Sequence, residues 1–218
     1  MRRIIAIATA GVVILVLVVA QFVLPGVAAD RLRDRLSRSG NVISVEVHAF
    51  PAIKLLWNHA DRVVVRMGRY QSAASTVADL LSQTSTVGSL DASAQEFTSG
   101  LLTVRNAALR KRGNQLVGTA VVTESDLRRA IPILQSVVPV RSSDGRLTLR
   151  GTASLFGVTA TVDATVSASD GKLIVSPDVP FGGLATLTVF SNPHVEVQSV
   201  GATPAPGGFR VTATGMVR

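Results

Sequence analysis

The feature that most constrains the fold is a succession of short segments, through the last third of the chain, that alternate apolar and polar residues. In the clearest segment Val158, Ala160, Val162, Ala164 and Val166 alternate with Thr, Asp and Ser. A two-residue period places the two sets on opposite faces of a β-strand, one dry and one wet. The sequences SSDG, SDG and PAPGG separate the segments and predict turns. This region therefore predicts a series of antiparallel strands.

The first alternating segment ends at a proline corner. Residues 41–50 predict a strand with Ile43 and Val47 on its buried face. Pro51 interrupts this strand because proline has no backbone N–H to donate. A short helical turn over residues 52–59 is predicted before the next strand begins.

The middle of the chain predicts one hairpin. Residues 101–109 and 116–123 read as paired strands, joined by a basic turn with the sequence RKRGN. Residues 71–95 are rich in Ser, Thr and Ala, with one apolar cluster, VADLL. We interpret them as a short helix between loops.

The clearest amphipathic helix follows this hairpin. Thr123 and Asp126 have the spacing of a capping box, and Pro132 predicts a kink because it removes an intrahelical hydrogen bond. The apolar side chains that recur on one face of this helix are Leu127, Ala130, Ile131, Leu134, Val137 and Val138.

The N-terminus predicts a membrane anchor. Residues 4–24 are almost entirely apolar, and at ~1.5 Å per residue they span a hydrocarbon layer of ~30 Å. Arg2 and Arg3 precede the run, which favours a cytoplasmic N-terminus and export of the rest. The alternative is a signal peptide cleaved after Ala29, although signal cores usually cover only ~7–15 residues.

These elements predict two parts. Residues 1–29 form a membrane anchor or uncleaved signal, and residues 30–218 form one exported domain. The expected fold class is α+β, with a strongly curved antiparallel β-sheet wrapped around one or two amphipathic helices and preceded by a transmembrane helix. The expected location is the cell membrane, single-pass, with the C-terminal domain in the periplasm or cell envelope.

Charge and composition limit the classes of partner that the chain is expected to bind. The formal net charge is +8 and the chain has no cysteine, which excludes a disulfide framework and a thiolate zinc site. Export makes nucleic acid a poor partner, so we expect anionic phospholipid and the membrane surface instead. The helix predicted over residues 27–39 presents the head-group candidates Arg31, Arg35 and Arg38, for which a solvated face is the alternative.

The sequence predicts no catalytic centre. The common hydrolase, zinc-protease, P-loop and dinucleotide motifs do not occur. His48, His59 and His194 are interpreted as surface or capping residues. Asp144 and Asp170 each precede glycine, which predicts turns rather than a calcium site. We therefore expect a protein that is not an enzyme and that needs no cofactor or metal, with phospholipid as its ligand.

Five segments, taken in order, resemble one known family. They are LPGVAADRLRDRL, VISVEVHAFPAIKLLWNHADRVVV, TESDLRRAI, DGRLTLRG and DGKLIVSP. Their order is similar to that of the LmeA-like phospholipid-binding proteins of actinobacterial cell envelopes. The resemblance implies a tubular lipid-binding fold, whose curved sheet encloses apolar space around a helix, and a role in envelope lipid or lipoglycan assembly. It implies no catalytic residues, and it does not extend to residues 71–95.

Two hypotheses for the function remain open. The first is a membrane-anchored phospholipid-binding protein, with an envelope glycosyltransferase or other envelope protein as a further partner. The second is a β-rich scaffold or interaction module that binds a protein or glycan. The corner around Trp57 is either ordinary core or a cavity mouth that touches the membrane. The lipid-contacting candidates are Phe50, Ile53, Leu56, Trp57, Leu127, Ile131, Leu134, Val162 and Phe181.

Overall fold

The structure, a computed structural model, describes part of the chain. The described residues are 2–38, 40–57, 59–72, 86–99, 102–132, 134–155, 158–178 and 186–217. Side chains are described from Val19 onward, except at positions 22, 53, 56, 72, 155 and 158. The apolar cluster VADLL and most side chains of the predicted anchor lie outside the described residues. Within the part that is described, no helix has the length and hydropathy needed to cross a membrane.

A long helix begins the chain, and strands make up most of the remainder. The helices are α1 (Arg2–Ser37), a 3₁₀ helix (Ala52–Trp57) and α2 (Glu124–Ala130). The strands are β1 (Gly40–His48), β2 (Ala60–Ser72), β3 (Val87–Ser99), β4 (Leu102–Arg112), β5 (Gln115–Thr123), β6 (Leu134–Ser143), β7 (Arg146–Leu155), β8 (Val158–Ser169), β9 (Lys172–Pro177), β10 (Leu187–Phe190), β11 (Val195–Ala205) and β12 (Gly208–Val217).

The described strands form two open, curved sheets rather than the single sheet that was predicted. The seven-stranded sheet has the order β1-β2-β3-β4-β5-β12-β11, and the five-stranded sheet has the order β10-β9-β8-β7-β6. Neighbouring strands are antiparallel except β2 and β3, which are parallel. A β-rich fold with few helices is therefore confirmed.

Helix α1 covers one end of the seven-stranded sheet. Ala28, Leu32 and Leu36 are four residues apart, so they lie on one face of the helix. This face packs against a cluster that includes Val63 and Val65 of β2. The predicted helix over residues 27–39 is thus part of α1, and its apolar side faces the protein core.

The five-stranded sheet covers the opposite end. Leu147 and Val166 of the five-stranded sheet pack against Val200 of β11, with Ala202 and Val211 beside them. Strands β4 and β5 lie between the two covered ends in the strand order. The middle of the seven-stranded sheet is therefore the place where an apolar face is flanked by packed elements on both sides.

The predicted Asp-Gly turns are confirmed. Asp144 and Gly145 have φ angles of 53° and 69°, and Asp170 and Gly171 have 51° and 74°. Two successive left-handed residues match the twist of a tight hairpin, and Asp followed by Gly adopts them at low cost. Turn geometry therefore explains why an aspartate stands at positions 144 and 170.

The predicted long helix after Thr123 was wrong beyond Ala130. Helix α2 ends there, and Leu134 begins strand β6. Pro132 cannot donate to the helix ladder, and β-branched residues such as Val137 and Val138 fit a pleated strand better than a helix. The proline therefore ends the helix instead of kinking it.

Two other predictions also need correction. Strand β3 begins at Val87, inside the region interpreted as a helix between loops. Its Ala, Ser and Gly residues resemble loop composition, but pairing with β2 and β4 makes them a strand. The predicted basic turn is only Gly113 and Asn114, because β4 continues to Arg112.

The predicted buried face of the first strand is partly wrong. Ile43 is 51% exposed, whereas Val42 is 8% exposed. The pairing of β1 with β2 shifts register on both sides of Val42. A bulge of this kind reverses which side chain faces the core. Val47 is buried as predicted.

Candidate functional site

An unbroken row of aliphatic and glycine residues crosses the seven-stranded sheet. Directly paired residues on neighbouring strands lie on the same face of a sheet. The register therefore places six residues side by side, and we call them the central row. They are Val65, Ala92, Leu109, Gly118, Ala213 and Val200.

Small residues flank Leu109 in the middle of the central row. A Cβ added at Gly118 would meet Leu109 Cδ1 at 3.9 Å and Ala213 O at 4.0 Å, which are ordinary contact distances. Ala92, Leu109, Gly118 and Ala213 are all half-buried rather than buried. The centre of this face is thus an apolar, partly exposed surface, as an acyl-chain site requires.

The opposite face of the same strands is polar. Asp91 alternates with the central-row residue Ala92 and is surrounded by Arg62, Arg110 and Arg112. Arg112 Nη2 donates to both carboxylate oxygens of Asp91 at 3.0 Å. These arginines, Arg112 first, hold the pKa of Asp91 below its usual value. Only one face of this sheet is therefore suited to lipid chains.

The corner after β1 is fastened to helix α1 by Gln21. Its side-chain Nε2 donates to Ala49 O at 3.1 Å, and its Oε1 accepts from Ala52 N at 2.7 Å. Gln21 lies near Leu24, where the apolar run of the sequence ends. The corner is therefore held beside the part of α1 in which the apolar run ends.

Two aromatic side chains project from this corner. Phe50 is 76% exposed and Trp57 is 64% exposed. The corner itself is ordered by Asp61, whose carboxylate accepts from Phe50 N and pairs with Lys54 Nζ at 3.3 Å. The Phe50 N–H first, and Lys54 after it, lower the pKa of Asp61. Ordered backbone with exposed rings is the arrangement expected of a membrane-contacting tip.

Helix α2 is fixed by a buried carboxylate. Asp126 is buried, and it accepts from Arg105 Nε at 2.9 Å, Arg129 Nη2 at 2.7 Å and Thr123 Oγ1 at 2.6 Å. Asp126 N also donates to Thr123 Oγ1 at 3.2 Å, which confirms the predicted cap. Hydrogen bonds from Arg105, then Thr123, and the charge of Arg129 lower the pKa of Asp126.

The structure does not bring the three candidates of the predicted long helix onto one helix face. Leu127 is half-buried on α2, Ile131 is 46% exposed at the end of the helix, and Leu134 lies on β6. Leu134 Cδ1 and the backbone oxygen of Val162 instead both lie beside Gly151, 3.7 Å and 3.8 Å from its Cβ position. These two candidates belong to the five-stranded sheet.

The other predicted site residues fall into three groups. Phe50 and Trp57 both lie at the corner and are exposed. Arg31, Arg35 and Arg38 are exposed at the C-terminal end of α1. The side chains of Ile53 and Leu56, and the whole of Phe181, lie outside the described residues.

The histidines lie at exposed positions. His48 and His194 are exposed, as predicted, and His59 is also exposed, with Nδ1 at 2.7 Å from Trp57 O. Because a carbonyl oxygen only accepts, this Nδ1 carries a proton. Among the described residues, no group of three His, Asp or Glu side chains is placed to hold a metal.

Sequence reasoning missed the central row and the buried Lys111. Lys111 is 2% exposed and lies on β4 with Leu109, two residues before it. The two-residue spacing places both on one face, and this was the available signal. It was overlooked because the arginines on either side of Lys111 made the segment look like a basic turn.

The comparisons with known proteins identify one family. The model of the LmeA-like phospholipid-binding family matches residues 17–216 of the chain. No curated protein and no solved structure matches it. The match extends from α1, through both sheets, to the end of β12. The chain therefore belongs to the LmeA-like phospholipid-binding family.

Proposed function

We propose that this protein is a membrane-anchored, non-enzymatic phospholipid-binding protein of the cell envelope. The observation that carries the proposal is membership of a phospholipid-binding family over residues 17–216. The apolar run at residues 4–24 serves as the anchor, and residues 30–218 function outside the cytoplasm, in the periplasm or cell envelope. The anchor and the location rest on the sequence.

The central row supplies the surface for the acyl chains. It is aliphatic throughout, small in the middle and half-buried at Ala92, Leu109, Gly118 and Ala213. Each acyl CH₂ transferred from water to such a surface contributes ~0.8 kcal/mol.

The corner and helix α1 orient the protein on the membrane. Gln21 holds Phe50 and Trp57 near the end of the apolar run, at the depth where aromatic rings are favoured. Arg31, Arg35 and Arg38 follow the run, and each contributes about 1 kcal/mol near an anionic surface. The lipid-binding face would then stand next to the bilayer that supplies its ligand.

The protein supports envelope lipid or lipoglycan assembly by presenting phospholipid to another envelope component. A glycosyltransferase or another envelope protein is the partner class. This part of the proposal rests on the family resemblance, and it assigns no chemical step to the chain itself.

A β-rich interaction module is the second candidate. Val138 and Val140 on β6 are 51% and 48% exposed, and Leu187 and Val189 on β10 are 67% and 56% exposed. Both strands are edges of the five-stranded sheet, where unpaired backbone groups favour pairing with another chain. These edges favour a protein partner, with or without lipid.

Native mass spectrometry of the full chain separates the two candidates. The chain is extracted from membranes in a lipid-free detergent, and the detergent is stripped in the gas phase. We expect a retained phospholipid, identified by its mass and fragmentation, because an acyl chain on the central row is shielded from detergent exchange. A folded chain that carries no phospholipid, both as extracted and after incubation with phosphatidylglycerol, would contradict lipid binding and favour the interaction module.

A further inference from the structure

A second row of paired residues on the apolar face contains one lysine. It lies next to the central row, toward the corner, and the other members are aliphatic or glycine. The lysine occupies the middle of the row, flanked by Leu90 and Leu116. The members are Val47, Val63, Leu90, Lys111, Leu116, Gly215 and Val197.

Lys111 is buried and incompletely satisfied. Its Nζ donates to Val87 O, and among the described residues no carboxylate lies within ion-pair distance of it. An ammonium group has three N–H donors, so two more are available. Burial lowers the pKa of Lys111. Burying an ammonium group on an apolar face without a carboxylate partner costs free energy. Packing alone therefore does not explain why a lysine occupies this position.

Lys111 is one of the residues that line a cleft at the end of the apolar face. The cleft has a volume of about 430 Å³ and opens to solvent. Lys54 and Asp61 line it as an ion pair at 3.3 Å, so their charges offset each other. The net charge of the cleft is therefore the positive charge of Lys111. Asn114 and His59 add polar groups to the same wall.

We propose that this cleft binds the phosphate of an anionic phospholipid head group, with Lys111 as the cation that recognises it. The inference rests on the proposed function and adds to it the site that recognises the head group. Lysine binds phosphate as a point charge, and its attraction is strongest where water is excluded.

The geometry connects the cleft to the acyl-chain surface. Lys111 and the central-row residue Leu109 are two positions apart on β4, about 7 Å at the rise of a strand. A phosphate at Lys111 would therefore let the acyl chains continue directly over the central row.

The cleft also adjoins the membrane-facing corner. Asp61 and Lys54 belong to both, since Asp61 accepts from Phe50 N. The Gln21 contacts link that corner to α1. A lipid leaving the bilayer beside the corner would meet the cationic cleft first.

The test compares phosphatidylglycerol with diacylglycerol carrying the same acyl chains. The full chain in detergent micelles is offered both lipids, and bound lipid is counted by native mass spectrometry. We expect the wild type to prefer phosphatidylglycerol about tenfold, the size of one charge-assisted hydrogen bond. Lys111→Met should bind both lipids equally, with a thermal midpoint no lower than that of the wild type.

Lys172→Met is the matched control, because it removes the same charge at an exposed position on β9. It should retain the wild-type preference. Equal binding of the two lipids by the wild type would overturn the head-group site and leave lipid binding intact, whereas binding of neither lipid would overturn both. A lower midpoint with unchanged preference in Lys111→Met would make Lys111 structural. Displacement of phosphatidylglycerol by inorganic phosphate alone would assign the cleft to free phosphate.

Discussion

The Gly118→Leu variant is expected to lose phospholipid binding by at least about tenfold while its free energy of unfolding changes by less than about 1 kcal/mol. Gly118 is in the middle of the central row, and a Cβ there meets its neighbours only at 3.9 Å and 4.0 Å. A leucine side chain would occupy the volume that an acyl chain needs. The measurements are lipid occupancy by native mass spectrometry and stability by urea unfolding.

Thr119→Leu is the matched control for this variant. Thr119 pairs with Thr212 on the polar face, so this variant places a leucine side chain one position from Gly118 but away from the central row. Lipid occupancy should stay at the wild-type level. If the apolar face were instead a filled core, Gly118→Leu would destabilise the protein by about 1–3 kcal/mol, as overpacking does. That cost, combined with unchanged lipid occupancy, would rule out a lipid surface at the central row.

Asp126→Ala is expected to have the largest effect on stability, a loss of about 2–4 kcal/mol in the free energy of unfolding at pH 7. The Asp126 side chain is fully buried, and its removal leaves Arg105 and Arg129 without their shared partner. It also removes the hydrogen bond from Thr123 that helps to fix the start of α2. Because both arginines are partly exposed, water can hydrate them in the variant, which reduces the loss in the free energy of unfolding.

The pH dependence of this effect follows from the lowered pKa of Asp126. A carboxyl with a lower pKa in the folded state than its ordinary 3.8 stabilises the protein above that value. The contribution is lost as the pH falls through the folded-state pKa. Urea unfolding at pH 7 and below pH 3.8 should therefore show the wild type and Asp126→Ala becoming more alike in acid.

Asp163→Ala provides the comparison for this aspartate. Asp163 pairs with Arg150 across neighbouring strands at 2.7 Å, but both side chains are partly exposed. Exposed ion pairs contribute at most about 1 kcal/mol, so this variant should lose no more than that. Equal losses in the two variants would mean that burial does not set Asp126 apart.

Local features of the fold were predictable from the sequence because they depend on local chemistry. The Asp-Gly turns at Asp144 and Asp170, the cap at Thr123 and the existence of strand β8 each follow from a few neighbouring residues. Strand pairing was not predictable in the same way. The parallel pairing of β2 with β3 and the division into two sheets depend on contacts between distant residues.

Only part of the candidate site was visible in the sequence. Phe50 and Trp57 were selected because several large apolar residues follow one another at the proline corner, whereas their exposure is known only from the structure. The central row was missed because Ala92, Gly118 and Ala213 are small, common residues whose importance appears only when the register aligns them. Lys111 was missed because the arginines on either side of it led the segment to be interpreted as a basic turn. Its position on the same strand face as Leu109 was therefore not recognised. Leu134 was misplaced because its spacing also fitted a helix.

The central claim is that acyl chains lie on the central row, outside the bilayer. It is tested most directly by photo-crosslinking the full chain in vesicles that contain phosphatidylglycerol with a diazirine in its acyl chain. After proteolysis and mass spectrometry, we predict crosslinks at Leu109 and Ala213 in addition to those in the apolar run at residues 4–24. Crosslinks confined to that run and to the corner at Phe50 and Trp57 would contradict the claim.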